Sequence, residues 1–159
     1  MKQMLACTAL VATLIAPAAA EEQPEGRLLA ELTFESADRH GKGYLHQGDM
    51  EAIRADIFES IDANDNGGME LAEFLGWGFG FQNIAEDENR KLAYDTALKV
   101  VFSFWDRNGD GKITQSEHRR SLLADFDRAD VNGNAILEKS EFLGGFSVLV
   151  AIRAALKPE

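Results

Sequence analysis

Four twelve-residue stretches of this chain open on an aspartate, at Asp38, Asp62, Asp106 and Asp130. They lie 24 residues apart within each pair, and the two pairs are 68 residues apart. A duplication of this kind constrains the architecture first, because each copy must fold alike and bury its apolar face against a neighbour. The third copy, DRNGDGKITQSE, shows the chemistry most fully. Side-chain oxygens stand at positions one, three, five, nine and twelve in Asp106, Asn108, Asp110, Thr114 and Glu117. Gly111 stands at position six, and Lys112 offers its backbone carbonyl at seven. A hard cation such as Ca2+ takes roughly six to eight oxygens at about 2.3–2.6 Å, and so short a segment can wrap one only by turning sharply at its centre.

The second copy, DANDNGGMELAE, repeats the pattern with Asp62, Asn64, Asn66, Glu70 and Glu73 as side-chain donors, the Gly68 carbonyl, and Gly67 at the turn. The fourth, DVNGNAILEKSE, offers Asp130, Asn132, Asn134, Glu138 and Glu141 with the Ile136 carbonyl. Ala135 replaces the turn glycine there, and weaker binding is expected. The first copy, DRHGKGYLHQGD, keeps Asp38, Gly43 and Leu45 but places His40 at position three, Lys42 at five and Asp49 at twelve. An ammonium at position five repels a cation a few ångströms away, so this loop reads as a degenerate copy kept for architecture. Asp38, His40, His46 and Asp49 could instead offer Zn2+ or Cu2+ an imidazole site, against which Lys42 also counts.

The D-x-N-x-D-G-x5-E spacing at Asp106 to Glu117 resembles an EF-hand. The agreement extends beyond the loops. Phe34, Phe58, Phe102 and Phe126 each precede a loop by four residues, Leu45, Met69, Ile113 and Leu137 fill position eight, and Glu73-Phe74-Leu75-Gly76 recurs as Glu141-Phe142-Leu143-Gly144. The resemblance implies an all-α fold with four EF-hand motifs, in two helix-sharing pairs, joined by short inter-loop β-bridges. About three of the loops would hold Ca2+.

Only twelve residues separate the loops within a pair. Met50 to Ile61 and His118 to Ala129 contain no Gly or Pro, and each reads as one helix shared by two loops. At 1.5 Å rise per residue such a helix holds its two loops roughly 20 Å apart, so they cannot pair with each other. Loop two must therefore pair with loop three and loop one with loop four, setting Leu45 beside Leu137. An exiting helix from about Leu71 and an incoming helix from about Asp87 to Trp105 join the halves. Leu28, Leu29, Leu32 and Phe34 begin the first helix, and a final helix is expected over about Lys139 to Leu156. Gly76 to Phe81, with three aromatics among glycines, reads as a core hinge. The domain organisation is a 1–20 leader, a mobile 21–26 segment and one domain over 27–159, with repeats at 27–81 and 95–156.

The compact spacing, with an export leader, resembles lanmodulin and other periplasmic bacterial EF-hand proteins. Those loops carry proline at position two, where this chain has Arg39, Ala63, Arg107 and Val131. Three carboxylates per complete loop leave about one negative charge around Ca2+ and none around a trivalent lanthanide, so lanthanide binding stays open as an alternative.

The leader is read from Lys2, the apolar run Leu5 to Ile15 and the small residues Ala18 to Ala20. It points to a periplasmic or secreted protein with no membrane attachment after cleavage. Cys7, the one cysteine, falls inside it. The net charge of −11 makes nucleic acid a poor partner. No nucleophile motif is visible and an enzyme is not expected. The expected role is a calcium buffer or metal-stabilised scaffold. The alternative is a sensor that offers an apolar groove to a protein partner, and only Met50 and Met69 lie beyond the leader to furnish one.

Overall fold

The computed structural model describes residues 25–78 and 80–157, so the expected leader and Phe79 lie outside the described residues. The first half runs α1 (Glu25–Ala37), β1 (Tyr44–Leu45), α2 (Gln47–Ile61), β2 (Gly68–Glu70), α3 (Leu71–Gly76) and α4 (Phe81–Asp87). The second runs α5 (Lys91–Trp105), β3 (Lys112–Thr114), α6 (Gln115–Ala129), β4 (Leu137–Glu138), α7 (Lys139–Gly145) and α8 (Ser147–Ala155). The described residues are thus mainly helical, with strands of two or three residues inside the loops.

Each shared helix forms as one piece, and its length forces the pairing across the duplication. β1 pairs with β4, setting Leu45 opposite Leu137, and β2 pairs with β3, setting Met69 opposite Ile113. All four of these side chains are wholly buried, so each two-stranded bridge is also a plug of core. The four phenylalanines that precede the loops are buried too. Phe34 meets Phe142 edge-on at 5.6 Å, and Phe74 does the same with Phe102 and Trp105, each at 5.7 Å. Such edge-to-face pairs fix the angle of packing as well as burying area.

Two expectations change. The final helix is two helices, broken at Phe146, whose backbone is extended. The break has a physical cause: Gly145 lies against α6 so tightly that a Cβ there would come within 2.5 Å of Ala129. Buried Asp125 then accepts from the Ser147 backbone N–H at 3.0 Å and its hydroxyl at 2.5 Å, satisfying the start of α8. The incoming helix begins at Lys91; Asp87 instead ends the separate α4, and Asn89, with a left-handed φ of 57°, makes the turn between them. The segment expected to be mobile, 21–26, lies outside the described residues except for Glu25 and Gly26, which open α1. Of the aromatics in the expected hinge, Phe81 is buried and Trp77 half-buried, with the indole N–H donating to Ser60 Oγ at 2.9 Å.

Candidate metal centre

The loops are built by one hydrogen-bonding plan. The aspartate at position one ends the preceding helix, and its two carboxylate oxygens accept from the N–H groups of positions five and six. In the second loop Asp62 takes Asn66 at 3.1 Å and Gly67 at 2.8 Å. In the third Asp106 takes Asp110 at 3.2 Å and Gly111 at 2.9 Å, and in the fourth Asp130 takes Asn134 at 3.1 Å and Ala135 at 2.9 Å. These bonds draw the chain into a tight coil, which requires left-handed backbone at positions four and six. Gly41, Asp65, Gly109 and Gly133 supply the first, and Gly43, Gly67, Gly111 and Ala135 the second. The need at position four, which makes Asp65 adopt a φ of 54°, has no sign in the second loop's sequence.

The side chains at positions three and five are held by turns of their own. Asn64 and Asn66 accept from the N–H two residues on, at 3.0 and 3.1 Å, and Asn108, Asp110, Asn132 and Asn134 do the same at 2.9 to 3.0 Å. Each of these oxygens is thus fixed by a turn local to its own residue.

The carboxylate at position twelve reaches back from the first turn of the following helix. Glu73 Oε2 accepts from the Glu70 N–H at 2.9 Å, Glu117 from Thr114 at 2.9 Å and Glu141 from Glu138 at 3.1 Å. Thr114 also caps α6, its hydroxyl accepting from the Glu117 N–H and donating to Glu117 Oε2 at 2.7 Å. Burial pushes the Glu117 carboxyl up, but the donors Thr114, Asn108 and Arg107 outweigh it and hold the group below its ordinary range. Glu70, at position nine, is held low by the Lys112 ammonium 3.0 Å away, an ion pair across the β2–β3 bridge, and by the Asn66 amide.

Among the described residues no three carboxylates, imidazoles or thiols stand together as a cage that could hold a metal by themselves. Each complete loop also counts asparagine amides and one carbonyl, of Gly68, Lys112 or Ile136, among its oxygens. The fit of a cation is best judged from the fourth loop, where Glu141 is buried with Oε1 lacking any partner. A buried carboxylate oxygen left unmatched is costly, and a bound cation beside it would remove that cost.

The first loop follows the same plan but carries its own cation. Asp38 accepts from the N–H groups of Lys42 at 2.9 Å and Gly43 at 2.6 Å. Lys42 then turns its ammonium inward, 2.6 Å from Asp49 Oδ2 and 3.2 Å from His46 Nδ1. His46 thus faces an ammonium and His40 is exposed, so the imidazole site considered for Zn2+ or Cu2+ does not assemble.

His118 follows Glu117 yet is wholly buried, packed 5.5 Å from the Trp105 ring and 5.8 Å from that of Phe58. Burial lowers its pKa to about 4, so it is a neutral core side chain.

The EF-hand family model, described as EF hand, matches residues 98–122, which span the end of α5, the third loop and the first half of α6. The chain is 28% identical over 120 residues to the human mitochondrial adenyl nucleotide antiporter SLC25A24, and 30% identical over 69 residues to calcium-dependent protein kinase 3 of Oryza sativa subsp. japonica. Those matches take in 68% and 43% of this chain but only 22% and 11% of the relatives. Calmodulin-like protein 2 of Arabidopsis thaliana is 25% identical over 152 residues, which take in 73% of this chain and 92% of that protein. The third loop, with the flanking parts of α5 and α6, is thus the segment that matches the EF-hand model.

Proposed function

We propose that this is an exported protein of four EF hands that binds three calcium ions, in loops 62–73, 106–117 and 130–141, and acts as a calcium buffer or metal-stabilised scaffold without catalytic activity. The observation that carries the reading is the shared backbone plan of the loops. Three of them offer a complete set of oxygens, while the first places Lys42 where the others place Asn66, Asp110 and Asn134. A bound ion would link the aspartate that ends one helix to the glutamate that begins the next, so its gain in free energy would hold those helices together. The two methionines that a sensor groove could use favour a buffer, since Met50 and Met69 are both buried. Export to the periplasm or beyond rests on the leader read from Lys2 to Ala20.

A sensor is the second reading, and what favours it is an apolar stripe on α5. Leu92, Val100 and Phe104 are exposed there on one helical face, with Phe104 74% accessible.

Calorimetric titration of the leader-free chain tests both the site count and the metal. The expected result is three Ca2+ ions bound, falling to two in Glu117→Gln, where a neutral amide replaces a two-oxygen anionic ligand. Unchanged stoichiometry and affinity in that variant would overturn the ligand assignment. A La3+ competition run in the same cell separates the lanthanide alternative, which requires La3+ to displace Ca2+ at equal concentration.

A further inference from the structure

We propose that Asn132 is a site of spontaneous covalent modification: while loop four is empty, its side-chain amide is lost as ammonia and a carboxylate takes its place at position three. The inference rests on the metal reading only for its consequence, since the chemistry needs nothing but the chain and water.

Three asparagines of the complete loops are followed by glycine, in Asn66-Gly67, Asn108-Gly109 and Asn132-Gly133. In such a pair the glycine nitrogen can attack the asparagine Cγ, because no Cβ obstructs the approach and the new N–Cγ bond closes a five-membered succinimide. The glycine N–H gives up its proton, the departing Nδ2 takes one up through water, the Cγ–Nδ2 bond breaks and ammonia leaves. Water then opens the ring at one of its two carbonyl carbons. One opening gives aspartate, and the other gives isoaspartate, with the side-chain methylene drawn into the main chain. Nothing is oxidised or reduced.

The fold treats the three pairs differently. Room does not distinguish them, since all six residues are exposed and a Cβ added at any of the three glycines would meet nothing within 4 Å. Nor does the carbon under attack. Asn66, Asn108 and Asn132 each accept from the N–H two residues on, at 3.1, 2.9 and 3.0 Å, a donor placed to stabilise the oxyanion that forms at Cγ. The attacking and departing nitrogens do distinguish them. The Gly67 N–H donates to Asp62 Oδ2 and the Gly109 N–H to Asp106 Oδ1, both at 2.8 Å. The Asn66 amide donates to Glu70 at 3.1 Å and the Asn108 amide to Asp110 at 2.9 Å. Each nitrogen is thus held by a carboxylate, and bonds with one charged partner are the stronger kind. In loop four Asp130 takes the N–H groups of Asn134 and Ala135, and among the described residues neither the Gly133 N–H nor the Asn132 Nδ2 finds an acceptor.

The product alters the loop. Asp130, Glu138 and Glu141 are its three carboxylates, and the aspartate product adds a fourth negative charge beside them. The isoaspartate product lengthens the backbone just before the Asn134 N–H, which Asp130 holds, and so disturbs the coil itself.

The test is a time course of the full chain at neutral pH in a chelator, well below its unfolding midpoint, read by peptide mass mapping. Trypsin isolates Asn132 in Ala129–Lys139 and Asn108 in Asn108–Lys112, and fragment ions separate Asn132 from Asn134. Asn132 should convert about tenfold faster than Asn66 or Asn108, whose hydrogen bonds must break first. In concentrated urea, where no loop persists, the three should convert at similar rates. The proposal is overturned if Asn66 or Asn108 converts as fast as Asn132 in the folded chain, or if the urea sample shows the same preference. Excess calcium should slow Asn132, because on the metal reading the ion engages its Oδ1. A rate unmoved by calcium would overturn loop four as a calcium site, while the ranking in chelator decides the proposal by itself.

Discussion

Ala135 stands out in the sequence as the one turn position without glycine, and the fold shows what that replacement costs. It adopts a φ of 62° where Gly43, Gly67 and Gly111 stand at 79°, 83° and 87°. An L side chain in that region costs about 1 kcal/mol relative to glycine. Ala135→Gly should therefore raise stability by up to about 1 kcal/mol and tighten calcium binding at the fourth loop severalfold, as read by urea unfolding and calorimetry. A loss of stability would contradict the strain assigned to Ala135. Tyr94 makes the opposite lesson, since nothing in its sequence context marks it. Burial raises its pKa to about 12, above the ordinary 10. The unfolded chain then loses the phenolic proton first, so this contribution is intact below pH 10 and drains away between pH 10 and 12, by at most about 3 kcal/mol. Comparing urea midpoints of the parent and Tyr94→Phe across that window isolates the slope, which the variant should lack.

At the scale of elements, the shared helices and the cross-pairing are legible in the sequence because length alone decides them. Helices fifteen residues long, α2 and α6, cannot let the loops at their two ends meet, whatever the side chains do. The division between α7 and α8 is not legible, because its cause is a contact 16 residues back along the chain, Gly145 on Ala129, and a cap from Asp125. Ile53 and Ile57 on α2 are half-buried and line an apolar cavity, which periodicity alone does not announce. The sequence marks Lys42 as hostile to a metal, yet its positive role emerges only with the fold: it supplies an internal cation that ties position five of loop one to Asp49 at position twelve, around the β1 strand that pairs with β4. Lys42→Met should leave Asp49 without its partner, loosen the β1–β4 bridge and lower calcium affinity at the fourth loop. The second and third loops should bind as before. Calorimetry resolves this, and a uniform weakening of all three sites would show that the bridge does not act locally.

For the whole molecule, the crossed pairing means that neither repeat is complete alone. The first repeat gives one strand to each bridge and the second gives the other, so an ion in loop three bears on the helices of loop two through Met69 and Ile113. Binding at several such loops adds to stability by mass action, by about 2.7 kcal/mol per site when free calcium is a hundredfold above its dissociation constant. The family likeness covers the third loop, and the proposed function assigns metal-dependent closure to three loops of a doubled body. Thermal unfolding of the leader-free chain, recorded by circular dichroism in excess calcium and again in a chelator, tests that closure most directly. The midpoint should lie at least about 10 °C higher with calcium, together with greater helicity before the transition. Superimposable curves would mean that the fold stands without the ion, and metal-dependent closure would be wrong.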